Sequence, residues 1–203
     1  MILEYVEGFN LLKKYGIKVA ETKVVNSLEE TYEFAKNRKI VLKLYSEKAT
    51  HKAKLGLVKV DLSKEEIKEA FNYFRKIGKK FEPYEIIAQE MLKPGKEIII
   101  GANEDPQFGK FVIVGLGGSY VEVFKDISSR LCPINKKEAR EMIEEIKAKD
   151  ILFKDERIKE KMAGLVAKVS KIVEKENIKE LDINPVMVYE NSYKVVDVRI
   201  MLE

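Results

Sequence analysis

The rhythm of the chain changes once, just after Pro83, and that change limits the folds open to it. Before it, short apolar runs alternate with amphipathic stretches that carry helix-start signals. Residues 3–15 hold a stripe of Leu3, Val6, Phe9, Leu11 and Leu12 closed by Gly16, and 17–25 reads as extended chain. Ser27 with Glu30, and Ser63 with Glu66, have capping-box spacing, which predicts helices over 28–38 and 64–80. Strands are expected between them at 40–44 and 57–61. After Pro83 strand patterns dominate, at 86–91, 96–102, 111–114 and 120–124, with turns at Pro94-Gly95 and Gly115-Leu-Gly-Gly118. Asn135 with Glu138 opens a helix to about residue 148, a long amphipathic helix covers 156–176, and strands at 179–183, 186–189 and 194–199 close the chain. The expectation is an α+β fold of two lobes with a cleft between them and a hinge near 81–86.

At 203 residues the chain is long enough to bury a core, and its 45% hydrophobic and 35% charged residues describe a globular protein unusually rich in Lys and Glu. That bias leans towards a thermophile, because exposed ion-pair networks cost less desolvation at high temperature. The excess of 38 basic over 34 acidic residues is thin, so no nucleic-acid partner is expected. One cysteine, Cys132, excludes an internal disulfide and reads as a packed residue. No apolar run approaches the roughly 18 residues of a membrane span and no leader is evident, so no membrane association and a cytoplasmic location are expected.

Several stretches point to chemistry. The sole histidine, His51, sits in a polar, lysine-flanked loop between two strands. Imidazole titrates near neutral pH and is a competent nucleophile towards phosphorus, although a single loop histidine is more often a solvated surface residue. Lys43 ends a strand, where a cation can meet a phosphate, or simply face solvent. Glu90 and Glu97 flank the Pro94-Gly95 turn and offer acceptors for an amine and for hydroxyls. Gly115-Leu-Gly117-Gly118 either brings backbone N–H groups up to an anion or makes a glycine-rich hairpin; it is neither a Walker loop nor a dinucleotide fingerprint. Glu122 and Asp126 follow it. Most specific is Leu181-Asp182-Ile183-Asn184-Pro185, where Asp182 and Asn184 share one face of an extended chain. Asp197 follows thirteen residues after Asn184 in an apolar run. A carboxylate and an amide oxygen on adjacent strands suit Mg²⁺, which takes its other ligands from phosphate and water. A buried ion pair of Asp197 with Arg199 or a lysine is the alternative.

Taken together, Leu11 to Ile17, Val41-Leu-Lys43-Leu44, Thr50-His51-Lys52 and Ala88-Gln-Glu-Met91 form a pattern with Asp105-Pro-Gln-Phe-Gly109 and Gly115–Gly118. Val121-Glu122, Lys125-Asp126, Glu180 to Pro185 and Val196-Asp197-Val-Arg199 complete it. Over nearly the whole length this resembles the β subunit of ADP-forming acetyl-CoA synthetase (acetate–CoA ligase), an ATP-grasp family within the acyl-CoA synthetase superfamily. The resemblance implies an ATP-grasp domain spanning 1–203, with a small lobe near 21–83 and a larger sheet lobe near 84–203 on which helix 3–15 packs. It implies ATP/ADP held between the lobes, with Lys43 on phosphates, Glu90 and Met91 at the adenine edge, Glu97 on ribose and the Gly117-Gly118 backbone near the nucleotide. Asn184 and Asp197 match Mg²⁺ ligands. In the family a CoA-binding α subunit forms an acyl phosphate, and a histidine of that subunit takes the phosphoryl group. The histidine matching His51 carries the group to ADP, and Asp182 matches the carboxylate that orients that imidazole. The implied assembly is a heterotetramer with two copies of each subunit.

Two stretches depart from the family pattern. After His51-Lys52 the family has Ser-Asp, a spacer and Gly-Gly, where this chain has Ala53-Lys54-Leu55-Gly56-Leu57. The family's Gly-Tyr-Arg-Gly segment is replaced by a shorter Ile151 to Arg157. The altered loop motivates an alternative, a degenerate ATP-grasp module that binds nucleotide while regulating or scaffolding a partner. A succinyl-CoA-synthetase-type subunit fits less well, given the short chain and the position of the histidine.

Overall fold

A computed structural model describes residues 1–49, 55–118 and 126–203. His51, the altered loop through Lys54, Glu122 and the strand expected at 120–124 lie outside these described residues. The chain divides into two compact units, one of Met1–Val19 with Pro94–Glu203 and one of Ala20–Lys93.

The smaller unit holds β1 (Thr22–Val24), α2 (Leu28–Ala35), β2 (Ile40–Tyr45), β3 (Val58–Lys59), α3 (Lys64–Gly78) and β4 (Glu85–Glu90). Its sheet has the order β1-β4-β2-β3, antiparallel throughout. Local chemistry sets both helix starts. Ser27 Oγ accepts from the Glu30 N–H at 3.2 Å, and Ser63 and Glu66 close a reciprocal capping box. Glu30 does not return the bond to Ser27; its carboxylate accepts from the Asn26 N–H instead. Along β2 the alternation is strict: Ile40, Leu42 and Leu44 enter a core with Phe71, Phe74 and Ile86. Val41, Lys43 and Tyr45 take the opposite face. Strand 85–90, expected at the head of the larger lobe, pairs here between β1 and β2. The rhythm change after Pro83 is therefore not the unit boundary, which falls between Lys93 and Pro94. Alternation records that a stretch is extended, but sheet membership is set by which partner buries its apolar face.

The larger unit begins with α1 (Tyr5–Lys14), closed by Gly16 at φ +67°. It continues from β5 (Lys96–Asp105) and β6 (Gly109–Leu116) to β7 (Ile127–Leu131), α4 (Lys136–Glu145), α5 (Lys149–Leu152) and α6 (Glu156–Lys175). It ends in β8 (Ile178–Val188), β9 (Tyr193–Val195) and β10 (Val198–Leu202). The sheet order is β10-β8-β5-β6-β7, with β9 also on β8. One face carries Ile98, Ile100, Val112, Val114, Leu181, Ile183, Val198 and Ile200, all buried, and is covered by α1, α4 and α6. Helix α6 supplies a stripe of Met162, Leu165, Val166, Val169, Ile172 and Val173, each nearly inaccessible. Burying such a side chain contributes about 1.5–3 kcal/mol. The ion pairs joining α4 to α6, such as Lys159 to Glu144 at 3.2 Å and Lys136 to Glu160 at 2.6 Å, contribute about 0–1 kcal/mol each. The apolar stripe therefore holds the helix pair, and the charged rim adds most where heat lowers its desolvation cost.

β7 has no counterpart in the sequence expectations. Ile127-Ser-Ser-Arg-Leu131 is an edge strand with only alternate residues facing the helices, so its apolar signal is weak. Strand β8 runs unbroken through Pro185, where two strands are expected. No helix among the described residues is long and apolar enough to cross a membrane.

Candidate functional site

The sequence-derived residues gather in three places. The first is the middle of β8. Leu181 and Ile183 are buried while Asp182 and Asn184 are exposed, so the shared face expected of them is realised. Beyond Pro185 the parity reverses, and Val186 and Val188 are the buried residues. The reversal is a β-bulge: β5 pairs Ile100 with Ile183 and Ile98 with Val186, so Asn184 and Pro185 together oppose Ile99. On the other side of β8, Val198 faces Ile183 and Val195 faces Val186. The unchanged register puts Asp197 directly opposite Asn184, whose N–H donates to the Asp197 carbonyl at 3.2 Å. Asp197 lies in the gap between β9 and β10 and not inside one continuous strand.

Asp182 faces Arg199 across the β8–β10 pair, and Arg199 reaches diagonally to Glu180 at 3.6 Å. Arg199 therefore does not pair with Asp197; among the described residues no ion pair reaches the Asp197 carboxylate. Asp182 is open to solvent on one side, yet the surrounding protein strips part of the hydration from its carboxylate. That desolvation, then the charges of Asp197 and Glu180, raise its pKa above the ordinary value, and only Arg199 opposes them. A raised folded pKa means that the carboxylate's contribution is fully favourable only below its unfolded pKa and is lost as pH rises through the folded pKa. Asp182→Asn is accordingly expected to raise the melting temperature at neutral pH, the two proteins converging as the buffer is taken below about pH 4. Thermal melts across that range test this; a variant no more stable at pH 7 would contradict it.

The second place is the β5–β6 end. The Gly117 N–H donates to the Glu97 carbonyl at 2.8 Å, and a Cβ on Gly117 would stand 2.8–2.9 Å from the Glu97 backbone. Gly118 follows at φ +78°, with the Glu97 carboxylate 3.0 Å from where its Cβ would be. Glycine is thus required at Gly117 for close strand approach and at Gly118 for the left-handed turn. The result seats the Glu97 carboxylate close against the Gly117-Gly118 backbone. Asp126 has a structural role: its carboxylate accepts from the N–H groups of Lys147 and Ala148, both at 2.8 Å.

The third place is on the smaller unit. Lys43 is buried in β2, opposite Ile87 and Val58, on the face away from the core formed with α2 and α3. Glu90 pairs with Ile40, three positions along β2 from Lys43. Its carboxylate accepts from the Glu21 N–H at 2.8 Å, and the Met91 N–H donates to Lys39. His51 lies outside the described residues. Cys132, read as packed, has its thiol pushed up to about 12 chiefly by burial, which leaves it without nucleophilic character at neutral pH.

Asn184 and Asp197 stand at directly opposed positions and could offer two hard oxygen donors, the ligand type that Mg²⁺ takes alongside water and phosphate. No cluster of three or more His, Cys, Asp or Glu among the described residues offers a fuller cage. Sequence reasoning missed the bulge and the Asp182–Arg199 pairing. A signal for the bulge was present, since the apolar positions change parity across Asn184-Pro185.

Comparison with known proteins gives the family of the chain. The family model described as an ATP-grasp domain matches residues 1–202. The β subunit of acetate–CoA ligase [ADP-forming] II of Pyrococcus furiosus is 39% identical over 217 aligned positions, covering 100% of this chain and 92% of the relative. Acetate–CoA ligase [ADP-forming] I of Archaeoglobus fulgidus is 37% identical over 97% of this chain, which spans only 30% of that longer protein. Acetyl-coenzyme A synthetase 1 of Ca. Korarchaeum cryptofilum superposes with a TM-score of 0.83 at 37% identity, covering 100% of this chain and 93% of the other. That structure holds coenzyme A and Mg-AMPPCP, with its phosphohistidine segment pointing towards the nucleotide-binding site.

Proposed function

The chain belongs to the ATP-grasp domain family, and on that premise we propose that it is the nucleotide-binding β subunit of an ADP-forming acyl-CoA synthetase of the acetate–CoA ligase type. The observation that carries the reading is the pair Asn184 and Asp197, opposed across the β8 bulge with Asp182 two residues away on the same face. Such a bulge re-aims side chains at the cost of ladder regularity, and bulges are enriched beside active sites. The two relatives' names and the Mg-AMPPCP complex support the same assignment.

In this reading His51 accepts the phosphoryl group made on a CoA-binding partner subunit and delivers it to ADP. The P–N bond breaks with its electron pair returning to the imidazole, while an oxygen of the ADP β-phosphate forms the new P–O bond. Asp182 orients the ring and balances its charge, and its partly desolvated carboxylate strengthens that interaction. Lys43 acts on phosphate oxygens, Glu90 and Met91 take the base edge, and Glu97 with Gly117 and Gly118 takes ribose and adjoining oxygens. Asn184 and Asp197 hold Mg²⁺, which when bound neutralises phosphate charge and aligns the transferring group. The partner is the α subunit, in two copies of each chain; the Archaeoglobus relative, more than three times longer than the region matched, is consistent with both parts in one polypeptide.

The test is to combine the purified chain with its α partner, acetyl-CoA, phosphate, Mg²⁺ and ADP, and to follow ATP formation. Turnover dependent on both chains is the expected result. Nucleotide binding without ATP or acyl-CoA formation would replace this reading with the regulatory module.

A further inference from the structure

Cross-strand register assigns one row of the large sheet's face opposite the helices to Arg199, Asp182, Gly101, Ile113 and Ser129 in sequence across the strands. The adjoining row carries Glu180 and no basic residue, and the bulge carries Asp197 and Asn184. Arg199 is thus the one cation in these two rows, set among three carboxylates. Its side chain is 57% exposed, and its ion pair with Glu180 is long, at 3.6 Å. A guanidinium committed to neutralising its neighbours would be held closer, in two-point contact with a carboxylate. This one makes a single, longer contact and is more than half exposed.

We propose that Arg199 is the phosphoryl-binding residue of this face, gripping the oxygens of the group in transfer; this rests on the function proposed above. Residues two apart on a strand lie roughly 7 Å apart. Arg199, a cation itself, would not ligate a metal at Asp197, but at that spacing its long side chain could meet an oxygen of a phosphate bound there. The planar fork matches a phosphoryl group's oxygens as a lysine's point charge cannot. Gly101 lies in the same row on the far side of Asp182, with the Ile113 side chain packed over it. Glu180 serves as the resting partner, holding the guanidinium over the face until a phosphate displaces it.

Because the terminal phosphoryl group is what Arg199 grips, its loss separates ATP from ADP. Isothermal titration of the full chain with Mg-AMPPCP and with MgADP reads this directly. Arg199→Gln is expected to weaken Mg-AMPPCP binding roughly 10- to 100-fold, the range of a charge-assisted contact, while MgADP changes less than about threefold. Arg199→Lys is expected to fall between wild type and Arg199→Gln, and guanidinium ion added to Arg199→Gln should restore part of the lost affinity. A purely structural arginine would lower the melting temperature and weaken both nucleotides alike. That outcome, or unchanged Mg-AMPPCP affinity in both variants, overturns the proposal. Failure of the wild-type chain to bind either nucleotide would instead sink the proposed function, and this inference with it.

Discussion

Replacing His51 by alanine is expected to abolish transfer of phosphate to and from the chain. The reasoning is chemical and rests on a count: the sequence has a single histidine, so every phosphoimidazole the chain can form is at His51. Without a nucleophile the covalent relay has no intermediate, and losses on the order of 10⁴-fold or more are usual when such a residue is removed. Incubation with radiolabelled ATP, Mg²⁺ and the α partner should label the wild-type chain with an acid-labile, base-stable phosphate. The variant should carry none. Its nucleotide affinity should stay within about threefold of wild type, because the imidazole acts on the phosphoryl group in flight and contributes little to holding the nucleotide. Label persisting in His51→Ala would move the phosphoryl acceptor elsewhere, and the assignment of His51 would be wrong.

The second large effect belongs to Asp197. Asp197→Ala removes the anionic one of the two oxygen donors opposed across β8, and an Mg²⁺ ligand contributes several kcal/mol to a phosphoryl-transfer transition state. Turnover is expected to fall roughly 10²- to 10³-fold, and the Mg²⁺ concentration for half-maximal rate to rise more than about tenfold. Asn184→Ala should follow the same direction more weakly, since a neutral amide oxygen holds a cation less tightly than a carboxylate. Fold stability should not fall with it. Among the described residues no ion pair reaches the Asp197 carboxylate, and its backbone carbonyl, which receives the Asn184 N–H, survives the substitution. An Asp197→Ala protein with wild-type Mg²⁺ dependence would remove the metal from this pair. Asp182→Asn makes a contrasting case, because the change expected to disable the proposed relay also relieves a desolvated charge. Loss of transfer together with a gain of stability in this variant would mark Asp182 as a side chain kept for chemistry.

The elements set by local chemistry are the ones that the residues alone reveal. Ser63 with Glu66 and Asn135 with Glu138 start their helices where the spacing places them, because each cap is completed within four residues. The apolar stripe of 156–176 becomes α6 for the same reason: its period is internal to the segment. Asp182, Asn184 and Asp197 could be singled out from the residues too, since polar oxygens among apolar strand residues are costly without a use. Their relation could not. That Asp197 stands opposite Asn184, that Arg199 stands opposite Asp182, and that 85–90 joins the smaller sheet are facts of register between segments distant in sequence. Register is set where whole faces are buried against helices, so no local stretch encodes it by itself. Strand β7, at the edge of the sheet among the described residues, shows the limit most plainly: Ser128, Ser129 and Arg130 find their ladder on β6. The sequence by itself determined which chemical groups the protein possesses and where its long helices run; the short helix Lys149–Leu152 was not among them. The tertiary structure alone decided which of those groups face one another, because pairing across a sheet is a contest between burial and loop entropy that is settled over the whole chain.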